Sequence, residues 1–139
     1  MIETHSIRNL QYDKFDYIWV IIRGNMPAGL EKVPHAVKVP VLSPCWSLFT
    51  KYRKLVEEHN WNQTTFNTIY KPRFIAQIQN EDKLPVEARY ATHALQNLVR
   101  MDKEGKRIAL VCFCADKNMC HRSIIAEMLQ NMGANVICN

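Results

Sequence analysis

Apolar positions follow two rhythms along this chain. Tyr17-Ile18-Trp19-Val20-Ile21-Ile22 is an unbroken run rich in β-branched residues, closed by Arg23-Gly24-Asn25-Met26-Pro27, which predicts a buried strand entering a loop. Ile108-Ala109-Leu110-Val111-Cys112-Phe113-Cys114 repeats the pattern and predicts a strand over 107–114. It breaks at Ala115-Asp116-Lys117-Asn118-Met119, and Cys120-His121-Arg122-Ser123 then opens a helix. Between Ala36 and Leu42, Val37, Val39 and Val41 alternate with Lys38 and Pro40. Proline cannot donate to a ladder, so this segment predicts an edge strand. Gly133 is a natural helix stop, and Ala134 to Cys138 a short final strand.

The other rhythm is helical. Ser43-Pro44 supplies an N-cap with proline at the first helical position, and Leu48, Phe49, Tyr52, Leu55 and Val56 recur toward Asn60. Phe66, Tyr70, Phe74 and Ile78 stand four apart, predicting a helix over 64–79 that Pro72 kinks or divides. Val86, Tyr90, Ala94, Leu98 and Met101 predict a third helix from Pro85 to Lys103. Strands alternating with helices imply an α/β chain: a compact three-layer fold with a small, mostly parallel sheet. Residues 1–139 read as a single domain, with a helical insertion over 43–80 and a C-terminal βαβ unit over 107–138. Ligands of such folds gather outside the carboxyl ends of strands. Arg23 and the loop before Ser123 both fall there, so they are expected to face one crevice.

With 139 residues the chain buries enough surface to fold without disulfides or a structural metal. The net charge of +5, from 18 basic and 13 acidic residues, tilts it toward an anionic partner. It lacks the dense basic stripe of a dedicated DNA binder. No apolar stretch approaches the roughly 20 residues of a membrane span, and Met1-Ile2-Glu3-Thr4-His5 is no secretion signal. Five cysteines, an odd number, then read as reduced thiols in a cytoplasmic setting.

Cys112 followed by Cys120-His121-Arg122-Ser123 and Ala126-Glu127 resembles the terminal signature of the family called domain of unknown function 488. Arg23-Gly24 with Pro27, Leu42-Ser43-Pro44 with Trp46, Leu48 and Tyr52, and then Tyr70 and Phe74 are similar to its branch with a helical insertion. The resemblance implies a compact α/β fold and a bacterial or phage-type cytoplasmic setting, and no established reaction. Relatives tend to carry an acidic or polar residue two positions after the first cysteine, where this chain has Cys114. A carboxylate role would therefore pass to Asp116.

Three chemistries suit the Cys120 region. A helix start offers free N–H groups and partial positive charge. Arg122, Ser123 and, across the crevice, Arg23 would thus bind an anionic phosphate-bearing ligand, a nucleotide or nucleic acid, with Asp116, Tyr70 and Arg73 as further contacts. In a hydrolase or transferase His121 would move protons and Cys120 would attack, its thiol pKa lowered by its neighbours. Phosphatase-type loops place arginine several residues after the cysteine, whereas here only His121 intervenes. The alternatives are a non-catalytic ligand- or partner-binding module using the same pocket, a purely structural role with Arg122 paired to a carboxylate such as Glu127, and a metal site. Cys112, Cys114, Cys120 and His121 supply four soft ligands for zinc or an iron–sulfur cluster. Against metal, Cys112 and Cys114 lack the Cys-X2-Cys turn, so no cofactor is the leading expectation. Trp46, Tyr52, Tyr70 and Phe74 read as core rather than as a base-stacking platform, and the remaining histidines as surface residues.

Overall fold

A computed structural model describes residues 1–114 and 116–139, with only the backbone of Asn9. Ala115, the first residue of the expected turn, lies outside the described residues. The fold is α/β. Among the described residues, five parallel strands form one sheet: β1 Ile2–Ser6, β2 Tyr17–Val20, β3 Ala36–Lys38, β4 Ile108–Cys112 and β5 Val136–Cys138. Their order across the sheet is β3-β2-β4-β1-β5. β4 is buried at all five positions, as its unbroken apolar run requires. β1 escapes the apolar pattern because Glu3 and His5 interrupt it, yet it sits between β4 and β5 with Ser6 beside Cys112.

Among the described residues, five α-helices connect the strands: α1 Trp46–Glu57, the single turn α2 Gln63–Thr65, α3 Lys71–Gln79, α4 Tyr90–Lys103 and α5 His121–Asn131. Ser43 does not cap α1, contrary to expectation. Its hydroxyl donates to the Pro40 carbonyl at 2.6 Å, the turn Pro40–Leu42 continues past it, and the helix begins three residues later. Pro72 divides the 64–79 segment as expected. A π-helical turn, Phe66–Tyr70, runs into α3 with helical backbone at Tyr70 and Lys71, and the proline falls where the π ladder gives way to the α ladder. α4 starts later than Pro85 because the Glu81 carboxylate accepts the Ala91 and Thr92 N–H groups, both at 2.9 Å, and so caps the helix at that point. Tyr90, expected on the buried stripe, is 66% exposed.

The core joins the sheet to these helices through fully buried Ile18, Phe74, Leu98, Leu110, Ile124 and Ile125. α5 packs on β1, β4 and β5. The chain leaves β2 toward β3 at one edge, and leaves β4 through α5 toward β5 at the other. Adjacent strands whose connections diverge leave a crevice at their carboxyl ends, the usual ligand position in parallel α/β sheets. No helix among the described residues is long and apolar enough to cross a membrane.

Candidate functional site

Two chain segments build one wall of that crevice. β4 ends at Cys112, so the alternation that would hold Cys114 out along the strand stops, and the chain bends back through the turn Lys117–Met119. Asp116 starts that turn, its carboxylate accepting the Asn118 N–H at 2.9 Å. Cys120 then stands at the N-cap of α5 with His121 as the first helical residue. The ligating atoms of Cys112, Cys114, Cys120 and His121 all lie within 4.8 Å of one another. A Cys-X2-Cys turn is therefore unnecessary here, because the strand end supplies the bend.

The histidine's tautomer follows from its partners. Nε2 lies 2.8 Å from the Ile21 carbonyl, which only accepts, so Nε2 carries the proton. Nδ1 is left as a lone pair 3.7 Å from the Cys120 sulfur. Burial pushes the ring's pKa down and keeps it neutral. Among the thiols, Cys112 is held well below the usual range by hydrogen bonds from Cys114 and Cys120, the latter at 3.0 Å. Donation to that thiolate pushes Cys114 up to about 12, and burial raises Cys120. The cluster thus holds one thiolate at Cys112 rather than at Cys120, which is 1% exposed and no low-pKa nucleophile.

Arg122 supplies the compensating charge. It is 2% exposed, and Nη1 donates to the Cys112 sulfur at 3.6 Å and to the Cys114 carbonyl at 3.2 Å, while Nε has no partner among the described residues. Glu127 pairs with Lys71 instead. A guanidinium buried without a carboxylate needs an anion, and the thiolate is the one at hand. The side chain lies behind the thiols, not in the crevice, so the expected pairing of Arg23 and Arg122 across one cleft does not occur. Ser123 is also withdrawn, its hydroxyl donating to the Cys120 carbonyl at 2.7 Å.

Residues 2–133 match the family model described as the Active DUF488-N3 subclade. The chain belongs to the DUF488 family. Neither a curated protein nor a solved structure matches it. In this DUF488 chain the crevice is a cavity of about 520 Å³. Cys112, Cys114 and His121 line it, together with Arg23 after β2 and Asp116 after β4. Arg23 is half-buried and aimed by two carbonyls, Nε donating to Pro44 at 2.7 Å and Nη2 to Ser43 at 3.4 Å. The opposite wall is aromatic: Tyr52, Trp61 and Tyr70, with Trp46 at 66% and Phe49 at 36% exposure toward solvent.

Phe74 is core as expected, whereas Trp46 is not: it stands at the start of α1, where no element covers it. Tyr70 reaches the cavity, whereas Arg73 is exposed and does not line it. Two participants escaped sequence reasoning. Trp61 sits in a polar stretch with no periodic neighbour, although a lone tryptophan between two aromatic helices was a usable signal. The Ile21 carbonyl carries no sequence signal.

Proposed function

We propose that this protein binds an anionic ligand in the cavity beside β2 and β4, and that Cys112, Cys114, Cys120 and His121 hold a zinc ion that fixes the cavity's wall. The observation carrying this is a cluster of four soft donors, three of which, Cys112, Cys114 and His121, line one cavity together with a half-buried guanidinium, Arg23, that forms no ion pair among the described residues. The donor set fits zinc: three sulfurs, plus an imidazole whose other nitrogen donates to a backbone carbonyl, as metal-bound histidines commonly do. Tetrahedral zinc with sulfurs at about 2.3 Å sets them about 3.8 Å apart, so Cys112 and Cys120 need separate by less than about 1 Å. Three thiolates and a divalent ion leave one negative charge, which Arg122 balances. With four protein donors the ion has no open position and acts by pinning the loop between Cys112 and Cys120.

The test is elemental analysis of protein purified without chelators, beside Cys114→Ser and His121→Ala. One zinc per chain in the parent and a loss in both variants is expected. A metal-free parent that also fails to take up zinc on titration overturns the metal assignment. A second reading, a covalent enzyme, is favoured by the low pKa of Cys112, which lines the cavity although it is as buried as Cys120, and the family's description as active agrees with it. Rapid alkylation of Cys112 by iodoacetamide at neutral pH in zinc-loaded protein would select that reading, and protection would select the pinned wall.

A further inference from the structure

The shape and charge of the cavity say what kind of anion it takes. Three rings form a corner: Tyr52 and Trp61 meet at 4.7 Å and 85°, Trp61 and Tyr70 at 5.4 Å and 76°, and Tyr52 and Tyr70 at 6.3 Å and 70°. Rings set this steeply to one another present both faces and edges to the space they enclose. A flat guest therefore meets a face to stack on and an edge to abut. The π-helical turn at Phe66–Tyr70 delivers Tyr70 to that corner, Tyr70 stacks on Phe74 at 6.4 Å and 6°, and Phe74 meets His121 at 5.9 Å with the rings tilted by 58°. The hydroxyls of Tyr52 and Tyr70 make no hydrogen bond to the protein among the described residues, so both are available to a guest. The volume of 520 Å³ suits one small molecule, since such sites span roughly 300–1,000 Å³.

Charge narrows the guest further. Among the described lining residues Arg23 is the one cation and Asp116 the one carboxylate. The thiolate cluster is balanced from behind by Arg122. Arg23 spends Nε and one Nη2 proton on carbonyls, leaving Nη1 to receive an anion. One guanidinium satisfies a single terminal anionic group. A triphosphate would bring several further charges against apolar walls and Asp116 with nothing to meet them. A quaternary ammonium, the other usual guest of an aromatic corner, would face Arg23.

We propose that the ligand is one planar heteroaromatic unit bearing a single anionic group: a nucleoside monophosphate or an aromatic carboxylate, with the ring in the Tyr52–Trp61–Tyr70 corner and the anion on Arg23. This rests on the anion-binding reading above and narrows it, excluding nucleoside triphosphates and nucleic-acid chains. The test is calorimetric titration of the full chain as purified with inorganic phosphate, the four nucleoside monophosphates, their nucleosides and triphosphates, indole-3-carboxylate and a short oligonucleotide. Tryptophan emission is followed in parallel. A monophosphate or the carboxylate should bind at least about tenfold more tightly than its nucleoside or uncharged analogue, the worth of one charge-assisted hydrogen bond. It should also outcompete the triphosphate and quench the emission, and the tighter of the two identifies the source of the anion.

Arg23→Met should lose that tenfold, Arg23→Lys should recover part of it, and Trp46→Leu, at an exposed position, reports on quenching without disturbing the core. If no anion binds, the anion-binding reading itself falls. If anions bind but inorganic phosphate, the triphosphate or the oligonucleotide is preferred, or the nucleoside equals its monophosphate, the narrower assignment is overturned and the broader one stands.

Discussion

Arg122 shows how a residue can be found by sequence and misread in role. Its place after Cys120-His121 marked the site, but whether it faces ligand or core depends on where α5 sits against β4, which local sequence does not encode. Buried behind Cys112, it is a counter-charge to sulfur. Replacing it with methionine keeps the bulk and removes the charge, so zinc affinity should fall about tenfold to a hundredfold, in the range of losses seen when an outer-shell partner is removed. Competition against a chromophoric chelator measures this, and Arg122→Lys should retain part of the affinity. The protonation pattern makes a second expectation. Cys112 is already a thiolate while Cys114 and Cys120 carry protons, so zinc binding should release about two protons. Calorimetry in buffers of different ionisation enthalpy counts them, and a count near three would mean that Cys112 is not the resident thiolate.

Elements were legible wherever an apolar pattern ran unbroken. β2, β4, α1 and α5 follow directly from the spacing of their buried residues, and Gly133 ends α5 at φ +92° as expected. β1 was not, because Glu3 and His5 occupy a central strand whose polar side chains find partners only in the fold: Glu3 meets Arg107 at 3.3 Å. Helix starts were misplaced where long-range capping decides them, as with Glu81 at α4. Glu81→Gln should cost about 1 kcal/mol by denaturant unfolding, the usual worth of a helix cap. Phe74 is 0% exposed and joins the π-turn ladder to His121, so Phe74→Ala should cost about 3–5 kcal/mol. It should also disturb ligand binding through Tyr70 more than Glu81→Gln does.

For the whole molecule, alternating strands and helices pointed to a crevice at the strands' carboxyl ends, whereas the strand order that opens it beside β2 and β4 is known only from the fold. The convergence of four donors there was not foreseeable either. It depends on β4 ending at Cys112, and only packing sets that end. Stability should carry the mark of His121. Its folded pKa is depressed by burial, so the unfolded chain binds the extra proton. The contribution is complete above the unfolded value of about 6.5 and is lost as pH falls through the lower folded value. Denaturation midpoints of chelator-treated protein should hold between neutral and mildly alkaline pH and drop in mild acid, and His121→Asn should flatten that drop.

The central claim, that the strand end and the helix start jointly hold one tetrahedral ion, is tested most directly by titrating chelator-treated protein with cobalt(II) and recording its visible and near-ultraviolet spectrum. One equivalent should give intense tetrahedral d–d bands with strong thiolate charge transfer, weakened in Cys120→Ser and displaced by zinc. A weak octahedral spectrum, or no saturation at one equivalent, would contradict it.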